Sequence, residues 1–361
     1  MTDGRSDTMI ETITRVIVGM WLLLLVLVAV VILVRAARLH RARRRARLAA
    51  VPRRELLSFV ADGGPADQID ALAGLPQDAW TAAEPAAVAM LAKVRGEAHA
   101  GLVEVFRRRG AADRALRELT RRAPVRRARA AELLGNLQAT EAVPRLCDLL
   151  DDENADVRLV SVRALGRIGD PRAAWRLLAS LARAQPASAQ MVGLALAQCG
   201  SGAEGALRAA LDHPALLVRL TALEALALLK APSRSLITLI AGVLRADESS
   251  EARVVAARTL GRLGARDGVA PLLEVLDSDA APPIRAAAAQ ALGTIGSPAA
   301  ATRLAAHVAD AEYRVAHESA HALRRCGPAG LTYLQTLSTE SAGLTGTHAR
   351  EALAIATIAA R

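Results

Sequence analysis

The chain has 361 residues, 52% of them hydrophobic but only 2% aromatic, with three cysteines and a formal net charge of +10. That apolar content excludes a disordered chain, and three cysteines in such a length exclude a disulfide scaffold. So few rings leave little from which to line an enzyme pocket, while the wealth of Ala and Leu points to small side chains packed between helices.

Residues 1–15 form a short leader holding Asp3, Asp7 and Glu11 against Arg5 and Arg15. Residues 16–34, VIVGMWLLLLVLVAVVILV, carry no charge over 19 positions. At about 1.5 Å per residue such a helix matches a hydrocarbon slab about 30 Å thick. The acidic leader and the basic residues after the run disfavour a cleaved signal peptide, so the reading is a single retained transmembrane helix. Residues 35–54 follow with nine Arg and no acid. The positive-inside rule then puts the N-terminus outside and the rest of the chain in the cytoplasm. Arg35, Arg38, Arg41, Arg43, Arg44, Arg45 and Arg47 are read as a stop-transfer cluster able to touch anionic lipid headgroups, worth about 1 kcal/mol per basic residue near a charged leaflet.

Residues 55–93 are helix-compatible but broken by Gly63, Gly64, Pro65 and Pro76, and are expected to form an N-terminal helical cap. From residue 94 to 361 the chain repeats itself. A leucine recurs at 134, 165, 196, 226, 260, 292 and 323, at intervals of 30 to 34; Leu353 and Val103 extend the series at either end. Four residues after the leucine stand Gly169, Gly200, Gly264, Gly296 and Gly327, with Gln138 and Lys230 in two copies. Glycine there ends a helix in the left-handed conformation. A proline soon follows, then apolar residues at helical spacing, then an acidic turn. Each unit is thus two helices that cannot bury their apolar faces alone and must stack on their neighbours. The expected fold is an all-α solenoid of eight to nine repeats behind one transmembrane helix.

The stretches VRLVSVRALGRIGDPRAA, ARVVAARTLGRLGARDGV and IRAAAAQALGTIGSPAAA resemble the HEAT repeat, in the short bacterial variety of phycobilin lyases. The resemblance covers about 260 residues. Arg127, Arg158, Arg219, Arg253 and Arg285 stand seven residues before the repeat leucine, where that family has its arginine; Ala189 and Ala316 depart from it. The resemblance implies that each such Arg reaches an Asp in a nearby turn and fixes the register between units. It is nearly silent on function, because the pattern encodes packing.

Residues 107–129 hold ten Arg against Asp113 and Glu118, whereas residues 130–361 sum to no net charge. Arg107, Arg108, Arg109, Arg121 and Arg122 stand as contacts to a membrane surface or an acidic partner, against the plainer reading of a solvated face. A nucleic-acid interface is disfavoured, since single-strand binding wants stacking aromatics and only Phe106 is near.

His317-Glu318-Ser319-Ala320-His321 spells HExxH, the zinc-protease signature. It falls in register inside a repeat helix, with His321 in the outward slot of Arg163, Glu224 and Gln290. No third histidine follows at protease spacing, and Glu340 and Glu351 lack the flanking pattern of a glutamate ligand. No metal, cofactor, catalytic residue or small-molecule substrate is therefore expected. Cys147, Cys199 and Cys326 fall in core slots and read as small apolar residues rather than a redox pair. The expected function is a membrane-anchored scaffold binding a protein partner, another membrane protein for example, at the inner face of the membrane. The alternatives are a metal-dependent enzyme using residues 317–321 and a basic nucleic-acid-binding solenoid.

Overall fold

The computed structural model describes residues 21, 24, 25, 27, 28, 30–36, 40, 54–183, 188–229, 233–278 and 280–359. Among these residues there is no strand, and no helix is long and apolar enough to cross a membrane. Nine of the 19 positions of the membrane-span reading lie outside the described set. Those inside it, Trp21 and the described residues from Leu24 to Val34, are helical with their side chains exposed.

Chain contacts define two compact units, residues 1–111 and 112–361. In the first, residues 54–61 are helical and are followed by α1 (Ala66–Ala73), α2 (Gln77–Leu91) and α3 (Gly96–Arg108). The predicted breaks lie between these helices: Gly63 and Gly64 take positive φ of 79°, and Pro65 and Pro76 stand immediately before α1 and α2. Leu56, Phe59, Leu72, Trp80, Leu102 and Phe106 build the core, Trp80 meeting Phe106 edge-on at 5.2 Å. Gly101 makes room for Phe59, since a β-carbon there would stand 2.6 Å from the ring tip.

The second unit alternates two series of helices. After α4 (Ala111–Glu118), the first-helix series is α5 (Pro124–Asn136), α7 (Ala155–Ile168), α9 (Ala189–Gln198), α11 (Leu216–Leu226), α13 (Ser250–Leu263), α15 (Pro282–Ile295), α17 (Tyr313–Leu323) and α19 (Gly343–Ala359). The second-helix series is α6 (Val143–Asp148), α8 (Ala174–Ser180), α10 (Glu204–Ala210), α12 (Arg234–Ala246), α14 (Val269–Leu276), α16 (Ala301–Ala306) and α18 (Gly327–Glu340). Each first helix packs on the next, from α5 through to α19.

The repeat leucines at 134, 165, 196, 226, 260, 292 and 323 are all fully buried. Each removes an apolar side chain from water, worth about 1.5–3 kcal/mol. The two projected outer copies differ: Val103 and Leu353 are half-buried, and in α3 it is Leu102 and Phe106 that fill the core. The helix-ending glycines behave as their position requires, with φ of 68° at Gly169, 63° at Gly200 and Gly264, 69° at Gly296 and 74° at Gly327. Gln138, in the same slot, is the one non-glycine with positive φ among the described residues, at 52°. Asn154, Ser233 and Ser249 cap α7, α12 and α13 by accepting from amides in their first turns.

Candidate functional site

Three of the repeat arginines reach an aspartate in the following turn. Arg127 holds Asp152 at 2.7 Å and Arg219 holds Asp247 at 2.9 Å; Arg285 holds Asp310. The same guanidinium reaches backward as well: Arg127 donates to the carbonyls of Arg121 and Arg122, and Arg219 to those of His213 and Pro214. The aspartates in turn accept the amides of Asn154, Ser249 and Glu312 at the start of the next first helix. For Arg127 and Arg219 one side-chain pair thus ties two successive turns and the start of the next first helix. Burial raises the carboxyl pKa of Asp152, but Arg127 and the Asn154 amide outweigh it and hold the group below its ordinary value. Asp310 is lowered in the same way, burial being outweighed by the Glu312 amide, Arg285 and His307. The other two arginines bind backbone instead: Arg158 donates to the carbonyls of Asp152 and Glu153, and Arg253 to that of Leu244.

Packing fixes the inward positions and leaves an outward slot in each repeat two residues before the leucine. It holds Glu132, Arg163, Leu194, Glu224, Arg258 and Gln290, all exposed. Beside it, Val254, Arg258, Ala287, Gln290, Arg314 and Glu318 line a groove with an enclosed volume of about 40 Å³. That is far below the roughly 300–1,000 Å³ of a small-molecule site.

Of the arginines singled out from sequence, Arg38, Arg41, Arg43, Arg44, Arg45 and Arg47 lie outside the described residues, and Arg35 is helical and exposed. Arg107 and Arg108 share Glu104, and Arg108 also pairs with Asp70. Two guanidiniums hold the Glu104 carboxyl down to about 2. Arg109 faces inward: it donates to the carbonyls of Leu72, Ala73 and Leu75 and lies 4.5 Å above the Trp80 ring. Its guanidinium closes the end of α1 and is part of the unit's structure. Arg121 stands 3.4 Å from Glu118, and Arg122 is exposed.

The three cysteines are free and buried, as their slots required, and burial pushes each thiol up to about 11. They are therefore protonated and poorly reactive at neutral pH.

The HExxH segment lies in α17. His317 and His321 share one face, their rings 4.3 Å apart, and that face meets α19. Glu351 of α19 points at both: its carboxylate is 3.6 Å from His317 Nδ1 and 3.9 Å from His321 Nε2. Potential ligand atoms of the three residues all lie within 4.8 Å of one another. Neither ring nitrogen has a hydrogen-bond partner, although both atoms are buried. His348, one turn before Glu351 and 3% exposed, packs its ring against Tyr313 and His317. Burial lowers the pKa of both His321 and His348, with His317 adding to the effect. In the sequence Glu351 lacks the flanking pattern of a glutamate ligand, yet the structure brings it to the two histidines. The available signal was the repeat itself, because Glu351 stands two residues before Leu353, in the same outward slot as His321.

The fold defines an α-solenoid of stacked two-helix repeats. Residues 112–197 and 237–324 match the family model described as HEAT repeats, so both stretches are HEAT repeats. A comparison with curated proteins finds no match. Among solved structures, Kap121p bound to Pho4p is similar at a TM-score of 0.50 and 13% identity, over 78% of this chain and 38% of that one. Kap121p bound to RanGTP is similar at 0.50 and 14% identity, over 78% and 37%. The chain spans well under half the length of these karyopherins. Human deoxyhypusine hydroxylase in complex with glycerol aligns over 81% of this chain and 96% of that one, at 20% identity and a TM-score of 0.30. At these identities the likeness concerns the fold.

Proposed function

We propose that this chain is a protein-binding scaffold whose recognition surface is the layer of first helices α5 to α17. The observation that carries the reading is the contrast between two slots on opposite faces of one helix. The inward leucine never varies from Leu134 to Leu323, while the outward slot two residues earlier holds acid, base, amide and Leu in turn. Packing constrains the first and leaves the second open for contact with a partner. The Kap121p structures are of the same fold with protein partners bound, which supports a partner that is a protein.

The scaffold is held at the inner face of a membrane by residues 16–34, with the N-terminus outside and the repeats cytoplasmic, next to anionic lipid and a membrane-protein partner. Supporting this are the uncharged run itself, the nine Arg after it and the exposed apolar side chains of the described residues between Trp21 and Val34. The 30-to-34-residue spacing supports repeats of the short bacterial variety. Tethering raises the local concentration of the solenoid at the bilayer without any new contact.

Photo-crosslinkers placed at 163, 224 and 258, and separately at the exposed second-helix positions 145 and 209, test the surface in native membranes. Adducts from the first set only are expected; adducts from the second set alone would overturn the assignment. A reporter after Arg361 should read as cytoplasmic.

A further inference from the structure

We propose that His317, His321 and Glu351 form a binding site for a zinc-class divalent ion that clamps α19 onto α17. The inference goes beyond the scaffold reading and does not depend on it. It rests first on convergence. Two imidazoles at positions i and i+4 present nitrogens from one helix, and a carboxylate enters from the next. The two His–Glu approaches, 3.6 and 3.9 Å, are too long for hydrogen bonds and slightly longer than the spacing of donors around one ion. With metal–ligand bonds of about 2.0–2.1 Å, tetrahedral donors stand roughly 3.4 Å apart. The donors of all three residues lie within 4.8 Å of one another, so side-chain rotations that draw them together are needed on binding.

The second observation is independent of the distances. His317 Nδ1 and His321 Nε2 are buried and accept nothing. Leaving such atoms unsatisfied forfeits their hydration without return, so native structures rarely do it without a reason. A divalent ion satisfies both lone pairs and neutralises the carboxylate that faces them. Imidazole nitrogens with one carboxylate suit zinc better than calcium or magnesium, which prefer oxygen ligands. His348 supports the site from behind. It is buried with neither ring nitrogen partnered, and it holds the His317 ring edge-on at 5.7 Å.

The placement of Glu318 decides the role. It lines the groove with Ala286, Gln290 and Arg314, on the α15 side of α17, while both histidines face α19. A general base must reach a water on the ion, and Glu318, about 60–100° round the helix from the two histidines, is turned into the α15 groove instead. The ion is therefore a structural clamp joining the last two first helices, with solvent at the fourth position beside the half-exposed Glu351, and not a hydrolytic centre.

The test is titration of the chelator-stripped full-length protein with Zn²⁺ against a zinc-responsive dye, followed by Co²⁺ substitution. Wild type should take up one equivalent, give the visible absorption of four-coordinate Co²⁺, and melt at a higher temperature when loaded. Glu351→Gln and His321→Ala should each weaken zinc binding by more than about 100-fold, beyond the 10–100-fold lost with an outer-shell group, and abolish the thermal shift. Glu351→Gln is isosteric at a half-exposed position, so its helical circular dichroism should match wild type. Glu318→Gln should bind zinc as wild type does. The proposal is overturned if wild type takes up no zinc, or if the equivalent persists in both Glu351→Gln and His321→Ala.

Discussion

Gly293 of α15 meets Ala322 of α17 so closely that a β-carbon on the glycine would stand 2.6 Å from the alanine Cα. The same approach recurs where Gly135 faces Ala164 (2.6 Å), Gly166 faces Ala195 and Gly261 faces Ala291 (both 2.9 Å). In each case the glycine follows one repeat leucine and the alanine precedes the next. The pair sets how near two first helices can lie. Gly293→Ala should therefore destabilise by about 1–3 kcal/mol, because the neighbour is backbone that cannot yield. Gly242→Ala, in α12 with nothing within 4 Å, should instead stabilise by about 1 kcal/mol through helix propensity. Urea midpoints of the two variants check the contrast, and equal effects would refute it.

The Arg219–Asp247 pair is 7% and 8% exposed, whereas Arg234–Asp267 is 82% and 48% exposed. Removing one partner of the buried pair should cost about 3–5 kcal/mol, since the other charge is left uncompensated among the turns it ties. Arg234→Ala should cost less than about 1 kcal/mol. Denaturant unfolding of Arg219→Ala and Arg234→Ala decides between them.

Asp152 and Asp310 have folded-state pKa values below the unfolded value of 3.8. A depressed carboxyl contributes stability that is fully present above the unfolded pKa and is lost as pH falls through the folded one. Stability should thus hold as pH falls toward 4 and drop steeply below it. In Asp152→Asn the curve should start lower at neutral pH and fall less in acid. Chemical denaturation from pH 6 to pH 2 measures both, and a parallel curve for the variant would refute the linkage.

Charge reversal across the basic block should split by position. Arg121→Glu with Arg122→Glu should weaken binding to anionic vesicles with helicity intact, the more so at low salt. Arg109→Glu should unfold the first unit instead, because it strips three carbonyls of their donor and places a carboxylate over the Trp80 ring. Vesicle flotation and Trp fluorescence separate the outcomes; identical behaviour of the two variants would refute the distinction.

The sequence alone determined the repeat and its anatomy. Leucine period, left-handed glycines, the arginine slot and the outward position two before each leucine follow from rules local to one unit: a 3.6-residue turn, a backbone only glycine adopts easily, an apolar face that must be covered. Tertiary structure decided what one unit meets on its neighbour. Whether an outward residue stays in water depends on how far the next helix slides and turns, and no single helix encodes that. Arg163 and Gln290 remain exposed, while His321, in the same slot, is half-buried with Glu351 beside its ring nitrogen. Arg109 belongs to the same lesson. Its neighbours in sequence are a run of like charge, but its contacts are carbonyls and a ring more than twenty residues away, and packing against those made a half-buried cation part of the first unit's structure.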